Sequence, residues 1–175
     1  QLVVACVALA ARAALVRLSG VRPALKWPND LIVGDAKIAG LLAEIVAVDE
    51  RLAVVVGIGV NLTHEGPADV VSTSVRAASG VTITAPALLD IVLDELEARR
   101  AALDSAEGQV GVRDEYRRAL ATLGQLVRVE RTNDVVVGRA VAVDEFGQLV
   151  VLVDGHEVAI TVGDVVHVRS HQVES

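Results

Sequence analysis

The chain has 175 residues, 53% of them hydrophobic, and its 16 Lys+Arg against 23 Asp+Glu leave a formal net charge of -7. That apolar content excludes a disordered chain, and the acidic balance argues against a nucleic-acid surface, which needs a basic stripe. The single cysteine, Cys6, excludes an internal disulfide and fits a reducing, cytoplasmic setting.

The sequence contains no methionine and opens at Gln1 inside an apolar run, so it reads as a portion of a longer protein. Residues 1–18, rich in Ala and Leu, predict a mostly buried helix stopped by Ser19-Gly20. Its longest uninterrupted apolar stretch, Leu2 to Ala11, is short of the roughly 20 residues that cross a bilayer, and no membrane association is expected. Cys6 lies in this helix as a core residue.

Residues 23–26 predict a short strand, Trp27-Pro28-Asn29-Asp30 a turn, Leu31-Ile32-Val33 a second strand and Gly34-Asp35 a tight turn. Ile38 to Val48 and Leu52 to Leu62, joined by Asp49-Glu50-Arg51, predict an antiparallel hairpin. Both runs are apolar on both faces, so the sheet is expected to be covered on both sides, or paired with another chain on one. A polar loop over 63–71 contains His64-Glu65-Gly66-Pro67, and a short helix is expected from Ser72. Thr84 before Ala85-Pro86 marks the start of a helix running to about Leu103, and another covers about 111–121. Beyond Gly124 come five Val-rich strands, 126–131, 135–143, 148–153, 156–160 and 165–169. Turns at Thr132-Asn133-Asp134, Glu145-Phe146-Gly147 and Asp154-Gly155 separate them, which predicts a small β-barrel of SH3-like size. Two units follow, 1–123 and 124–175.

The four histidines, His64, His156, His167 and His171, are scattered without ligand spacing, so no metal site is expected. Of the basic residues only Lys26 and Lys37 are lysines, and both lie in one window with the only Trp and the pair Asn29-Asp30. Lysine is a compact point charge suited to phosphate or carboxylate. The chain order brings Asn29 and Asp30 back towards the strand carrying Lys37, where Gly40 allows a ligand or a backbone to approach closely. The same residues also make an ordinary turn with a solvated lysine, and spacing alone leaves both readings open. Gly57-Ile58-Gly59-Val60-Asn61 is not a dinucleotide loop, because the third glycine and the following helix are missing. Its glycines either leave room for a flat ligand, with Asn61 offering an amide at the strand end, or simply ease sheet packing.

Leu25-Lys26-Trp27-Pro28-Asn29-Asp30, Lys37-Ile38-Ala39-Gly40-Leu41-Leu42-Ala43-Glu44 and Gly57-Ile58-Gly59-Val60-Asn61 together resemble biotin protein ligase. The family's runs are KWPND, K-[LI]-A-G-[IL]-L-x-E and G-[IL]-G-[IV]-N, in this order. Thr73-Ser74-Val75 resembles the family's Thr-Ser-Leu, and the tail from Gly124 its SH3-like C-terminal domain. The resemblance implies an α+β fold: part of a class II aminoacyl-tRNA-synthetase-like mixed or antiparallel sheet with helices, then a small SH3-like barrel. It implies an ATP-dependent ligase that forms biotinyl-5′-AMP from biotin and MgATP. A lysine of the biotin carboxyl carrier domain of acetyl-CoA carboxylase or a related carboxylase then takes the biotin. Lys37 matches the lysine that contacts the biotin carboxylate and the adenylate phosphate. Asp30 matches a group that orients the incoming amine or takes its proton. Asn29, Gly40, Gly57, Gly59 and Asn61 fall at positions lining the biotinyl-adenylate, while Lys26, Trp27 and Pro28 shape the loop and Glu44 is either structural or supports the residues that touch the ligand. No Mg²⁺ ligand is identified. Family members also pair through sheet edges, and the hairpin offers such an edge. The family's Gly- and Arg-rich loop and its biotin-ring residues are not found in the chain, so the isolated 175 residues are not expected to make biotinyl-adenylate at a normal rate. Two alternatives stand beside this reading: a lipoate-ligase-type acyl-adenylate transferase, and a non-catalytic ligand-binding or interaction module.

Overall fold

A computed structural model describes residues 2–49, 51–64, 66, 70–131, 134–161 and 163–167. The elements in chain order are α1 (Leu2–Ser19), β1 (Ala24–Lys26), β2 (Asp30–Val33), β3 (Ala36–Val48), β4 (Arg51–Val60), α2 (Val75–Ser79), α3 (Ala85–Ala102) and α4 (Ala106–Ala119). Then follow β5 (Leu126–Glu130), β6 (Val135–Val143), β7 (Leu149–Val153), β8 (His156–Ile160) and β9 (Asp164–His167). The fold is α+β.

Alanine is the best helix former, and in α1 it also sets the packing distance. Ala10, Ala11 and Ala14 are fully buried beside Leu9 and Leu15, where α1 packs against α3 and α4. By length and composition alone α1 would pass for a membrane span, yet half of it is buried inside the fold. Gly20 ends the helix in the left-handed region, φ 76°, with its N–H donating to Val16 O. Cys6 is buried, as expected of a core residue.

The first sheet has the order β1-β2-β3-β4, antiparallel throughout. Leu31, Ala39 and Leu41 on one of its faces enter the same core as α1. The second sheet has the order β8-β7-β6-β5-β9 and buries Val127, Val129, Ala140, Leu149, Val151 and Ile160.

Several expectations shift. α4 begins at Ala106 rather than 111, because Ser105 caps it: its Oγ accepts from Gly108 N–H at 3.1 Å. The short helix starts at Val75, capped by Ser74, rather than at Ser72. Of the two expectations for the hairpin, cover on both sides is not met at its outer end, which leaves pairing with another chain. Among the described residues nothing covers Leu42, Ile45, Val48, Leu52, Val54 and Val55, and all are exposed. The core reaches along β3 only as far as Leu41. Glu50 in the hairpin turn, Glu65 and Pro67 in the polar loop, Thr132 and Asn133 in a barrel turn, and positions 168–169 of the last expected strand lie outside the described residues.

Candidate active site

The site is built on an irregularity in β3. Asp30 pairs with Gly40 and Leu31 with Ala39, but Ile32 pairs with Lys37, so Ile38 is an extra residue on β3. In a regular strand successive side chains alternate, and positions 37 and 40 would point to opposite faces. The bulge reverses the alternation, and Lys37, Asp30 and Gly40 come to one face. Lys37 Nζ lies 2.5 Å from Asp30 Oδ1. That oxygen has no aligned hydrogen-bond donor, so charge rather than a directed bond holds the pair. Gly40 makes the room: a Cβ there would lie 2.9 Å from Lys37 Cε, 3.0 Å from Nζ and 3.3 Å from Asp30 Oδ1. The close neighbour that Gly40 admits is the ion pair itself.

The backbone of Lys37 is fixed from the far side. Its N–H donates to Val71 O and its carbonyl accepts from Thr73 N–H, each at 2.9 Å. Asn61 Nδ2 donates to Thr73 O at 3.0 Å and to Lys37 O at 3.4 Å. The Asn61 amide nitrogen is therefore committed to the backbone beneath Lys37. The Lys37 side chain is 38% exposed.

Cross-strand register lays out the rest of that face. Lys26 stands opposite Asp30, Asp30 opposite Gly40, and Gly40 opposite Gly59, one row across all four strands. Directly paired residues project to the same side of a sheet. Both lysines of the chain thus flank one carboxylate on one face. Beyond them Gly59 has open space where a side chain would start, and at Gly57 only Leu42 O comes within 4 Å, at 3.9 Å. The two glycines leave a shelf of bare backbone beside a cation and an anion. Glu44 lies further out on the same face, opposite Val55 and exposed.

The Trp27–Asn29 turn is braced at both ends. Asn29 Nδ2 donates to Leu41 O at 2.5 Å, and Leu41 N–H donates to Asn29 O at 2.8 Å. The Asn29 amide nitrogen therefore serves the turn. Pro28 is exposed and follows a cis peptide bond. Trp27 is buried; its backbone N–H donates to Thr122 Oγ1 and its indole Nε1–H to Gly147 O, each at 3.0 Å. His167 sits beside this joint, and burial, then the charge of Lys26, pushes its pKa down. Among the described residues no group of three His, Cys, Asp or Glu side chains stands ready to hold a metal.

The profile of the "Biotin/lipoate A/B protein ligase family" matches residues 1–61, and that of the "Biotin protein ligase C terminal domain" matches residues 122–168. The Mycobacterium tuberculosis "Biotin--[acetyl-CoA-carboxylase] ligase" is 35% identical over 161 residues, which span 90% of this chain. The chain belongs to the biotin protein ligase family. It spans 58% of the length of that mycobacterial relative. The Bacillus subtilis "Bifunctional ligase/repressor BirA" is 26% identical over 75% of this chain and 42% of its own length. Among solved structures, the apo biotin protein ligase of Aquifex aeolicus superposes with a TM-score of 0.81 at 18% identity, over 95% of this chain and 75% of that one. The same protein in complex with biotin and ATP gives 0.79 at 22% identity, over 97% and 72%.

Within this biotin protein ligase fold, Lys26, Asp30, Lys37, Gly40, Gly57 and Gly59 come together on one sheet face. Asn29 and Asn61 turn their amide nitrogens to the backbone, and Trp27 lies beneath, in the joint with the C-terminal strands. Sequence reasoning missed Thr122, Gly147 and His167. Nothing in a threonine after a helix, or a glycine in a turn, signals a contact with a tryptophan far away in sequence.

Proposed function

We propose that the full-length protein carrying this chain is an ATP-dependent biotin protein ligase, with residues 1–123 supplying part of its catalytic domain and 124–175 its SH3-like C-terminal domain. The observation that carries the proposal is the Lys37–Asp30 pair on a glycine-floored sheet face, in a chain of this family. In the first step a carboxylate oxygen of biotin attacks the α-phosphorus of ATP. The bond to the bridging oxygen breaks, pyrophosphate leaves and biotinyl-5′-AMP remains. Negative charge builds on the α-phosphate, and the Lys37 amine offsets it. In the second step the amine of an acceptor lysine attacks the acyl carbon, AMP leaves with the electrons of the C–O bond, and Asp30 takes the amine proton. Gly40, Gly57 and Gly59 give the adenylate a backbone surface. Asn29 and Asn61 border it while holding the turn and Lys37. Lys26, Trp27 and Pro28 keep the turn in place. Among the described residues no group of three His, Cys, Asp or Glu side chains stands together to hold a metal, so Mg²⁺ would arrive with the nucleotide phosphates.

The acceptor is a biotin carboxyl carrier domain of acetyl-CoA or a related carboxylase, in a cytoplasmic setting. The bare outer end of the β3–β4 hairpin, with β4 at the sheet edge, supports pairing of two copies there. The decisive experiment is adenylation by the full-length protein with biotin and lipoate in competition. Biotinyl-adenylate that disappears in Lys37→Ala, with the fold retained, supports the ligase. Preference for lipoate would assign a lipoate-type acyl-adenylate transferase. Unchanged function in Lys37→Ala would leave a non-catalytic module.

A further inference from the structure

We propose that Thr122 is a positioning residue for this site, through which the C-terminal strands hold the turn that leads to Asp30; the proposal rests on the ligase reading above. β1 is paired on one edge with β2. Its other edge is occupied by the segment entering the C-terminal unit: Leu25 bridges Leu120, and Ala121 N–H donates to Leu25 O at 2.8 Å. Thr122 continues this contact, its Oγ1 accepting from Trp27 N–H at 3.0 Å. His167 Nε2, on β9, lies 3.3 Å from the same oxygen. A threonine hydroxyl can accept from the one and donate to the other. The Trp27 indole reaches the β6–β7 turn at Gly147 O. Arg117 adds two bonds from α4 to Val143 O, 3.2 Å from Nε and 2.9 Å from a terminal nitrogen.

Thr122 is fully buried, one of two buried polar side chains among the described residues. Burying a hydroxyl costs stability unless its hydrogen bonds are made, and here one is made to the backbone of the catalytic turn and the other to the His167 ring. Two residues after Trp27, Asn29 bonds to Leu41, and the next residue is Asp30. Asp30 faces Lys26, the neighbour of Trp27, in register. A shift at Trp27 therefore reaches the carboxylate through one short turn. Residues that act in this way change rate more than affinity, since misplacement of a reacting group by about 1 Å can cost on the order of 100-fold.

The test compares Thr122→Val, Thr122→Ser and Trp27→Phe in the full-length protein. Carrier biotinylation gives kcat and KM for biotin, deuterium uptake over residues 25–33 reports the turn, and thermal unfolding reports the fold. Thr122→Val keeps the shape and loses the hydroxyl. It should lower kcat about tenfold to 100-fold with KM for biotin little changed, and speed uptake across the turn. Serine should restore both. Trp27→Phe, which keeps a ring and removes the indole donor, should lower kcat in the same direction and gives a second reading if the valine variant does not fold. A folded Thr122→Val with parental kcat and parental uptake overturns the proposal, as does a kcat loss that serine does not repair. If the parent protein forms no biotinyl-adenylate, the ligase reading falls. Deuterium uptake then decides the clamp alone: faster uptake in Thr122→Val upholds it, unchanged uptake overturns it.

Discussion

Lys37 combines a pinned backbone with a partly exposed side chain. Its peptide is pinned by Val71, Thr73 and Asn61, while its amine meets the Asp30 carboxylate at 2.5 Å. Lys37→Ala should reduce biotinyl-adenylate formation by on the order of 100- to 1000-fold, the usual cost of removing one charge-stabilising group, with little change in unfolding temperature. Lys37→Arg should also be harmful, because a planar fork does not replace a point charge; pyrophosphate exchange measures both. Gly40→Ala is the subtler test. Its new methyl group would meet Lys37 Cε at 2.9 Å, and the flexible lysine end would give way rather than the sheet. The expected outcome is a clear loss of adenylation at nearly parental stability. An alanine variant as active as the parent would contradict the close fit. The lysine pair was legible in the sequence because Lys occurs only at 26 and 37, beside the only Trp, and the Asn-Asp turn because those residue types favour turns. The face they share was not, because period-two reasoning puts positions 37 and 40 on opposite sides and nothing in Lys-Ile-Ala-Gly announces an unpaired Ile38.

At the level of elements, chemistry at the ends was easier to read than chemistry in the middle. Thr84 caps α3 as expected, its Oγ1 accepting from Ala87 N–H. α4 was read too short because Gly108 and Gly111 dilute its helical pattern, while the serine cap that starts it lies further back. Ser105→Ala should cost about 1 kcal/mol, the usual worth of such a cap, read from denaturant unfolding. The β3–β4 hairpin was legible as a hairpin but not as one with a bare end, since apolar residues on both faces look the same whether or not a partner covers them. If two copies pair there, replacing Ile45 and Leu52 with lysine should convert the sedimenting dimer to monomer without lowering the unfolding temperature. A parent that stays monomeric with biotin and ATP present counts against pairing.

Across the whole molecule, the change of texture after Gly124 correctly marked the second sheet, whose first strand opens at Leu126. The joint between the sheets was illegible, because long-range bonds such as Trp27 to Gly147 join residues that look ordinary in their own neighbourhoods. Tyr116, the only tyrosine of the chain, lies near this joint on α4, and burial pushes its pKa up to about 12. The folded state therefore keeps a phenol proton that the unfolded chain releases near its ordinary value of about 10. The stability linked to Tyr116 is intact below that pH and is lost as pH rises towards 12. The phenolate absorbance that Tyr116→Phe removes should appear late in the native protein and near pH 10 in denaturant; equal titration in both would contradict the burial. The unpaired Ile38 also governs how chain length can vary in this fold. Deleting one residue between Lys37 and Gly40 leaves the amine on its face only if the bulge closes with it; with the bulge kept, the amine would turn towards the helices. Adding or removing residues beyond Val48, at the free end of the hairpin, leaves the parity of the row untouched. The inner end of β3 thus ties chain length to the bulge, while the outer end, where the strand has left the core, is free of that constraint.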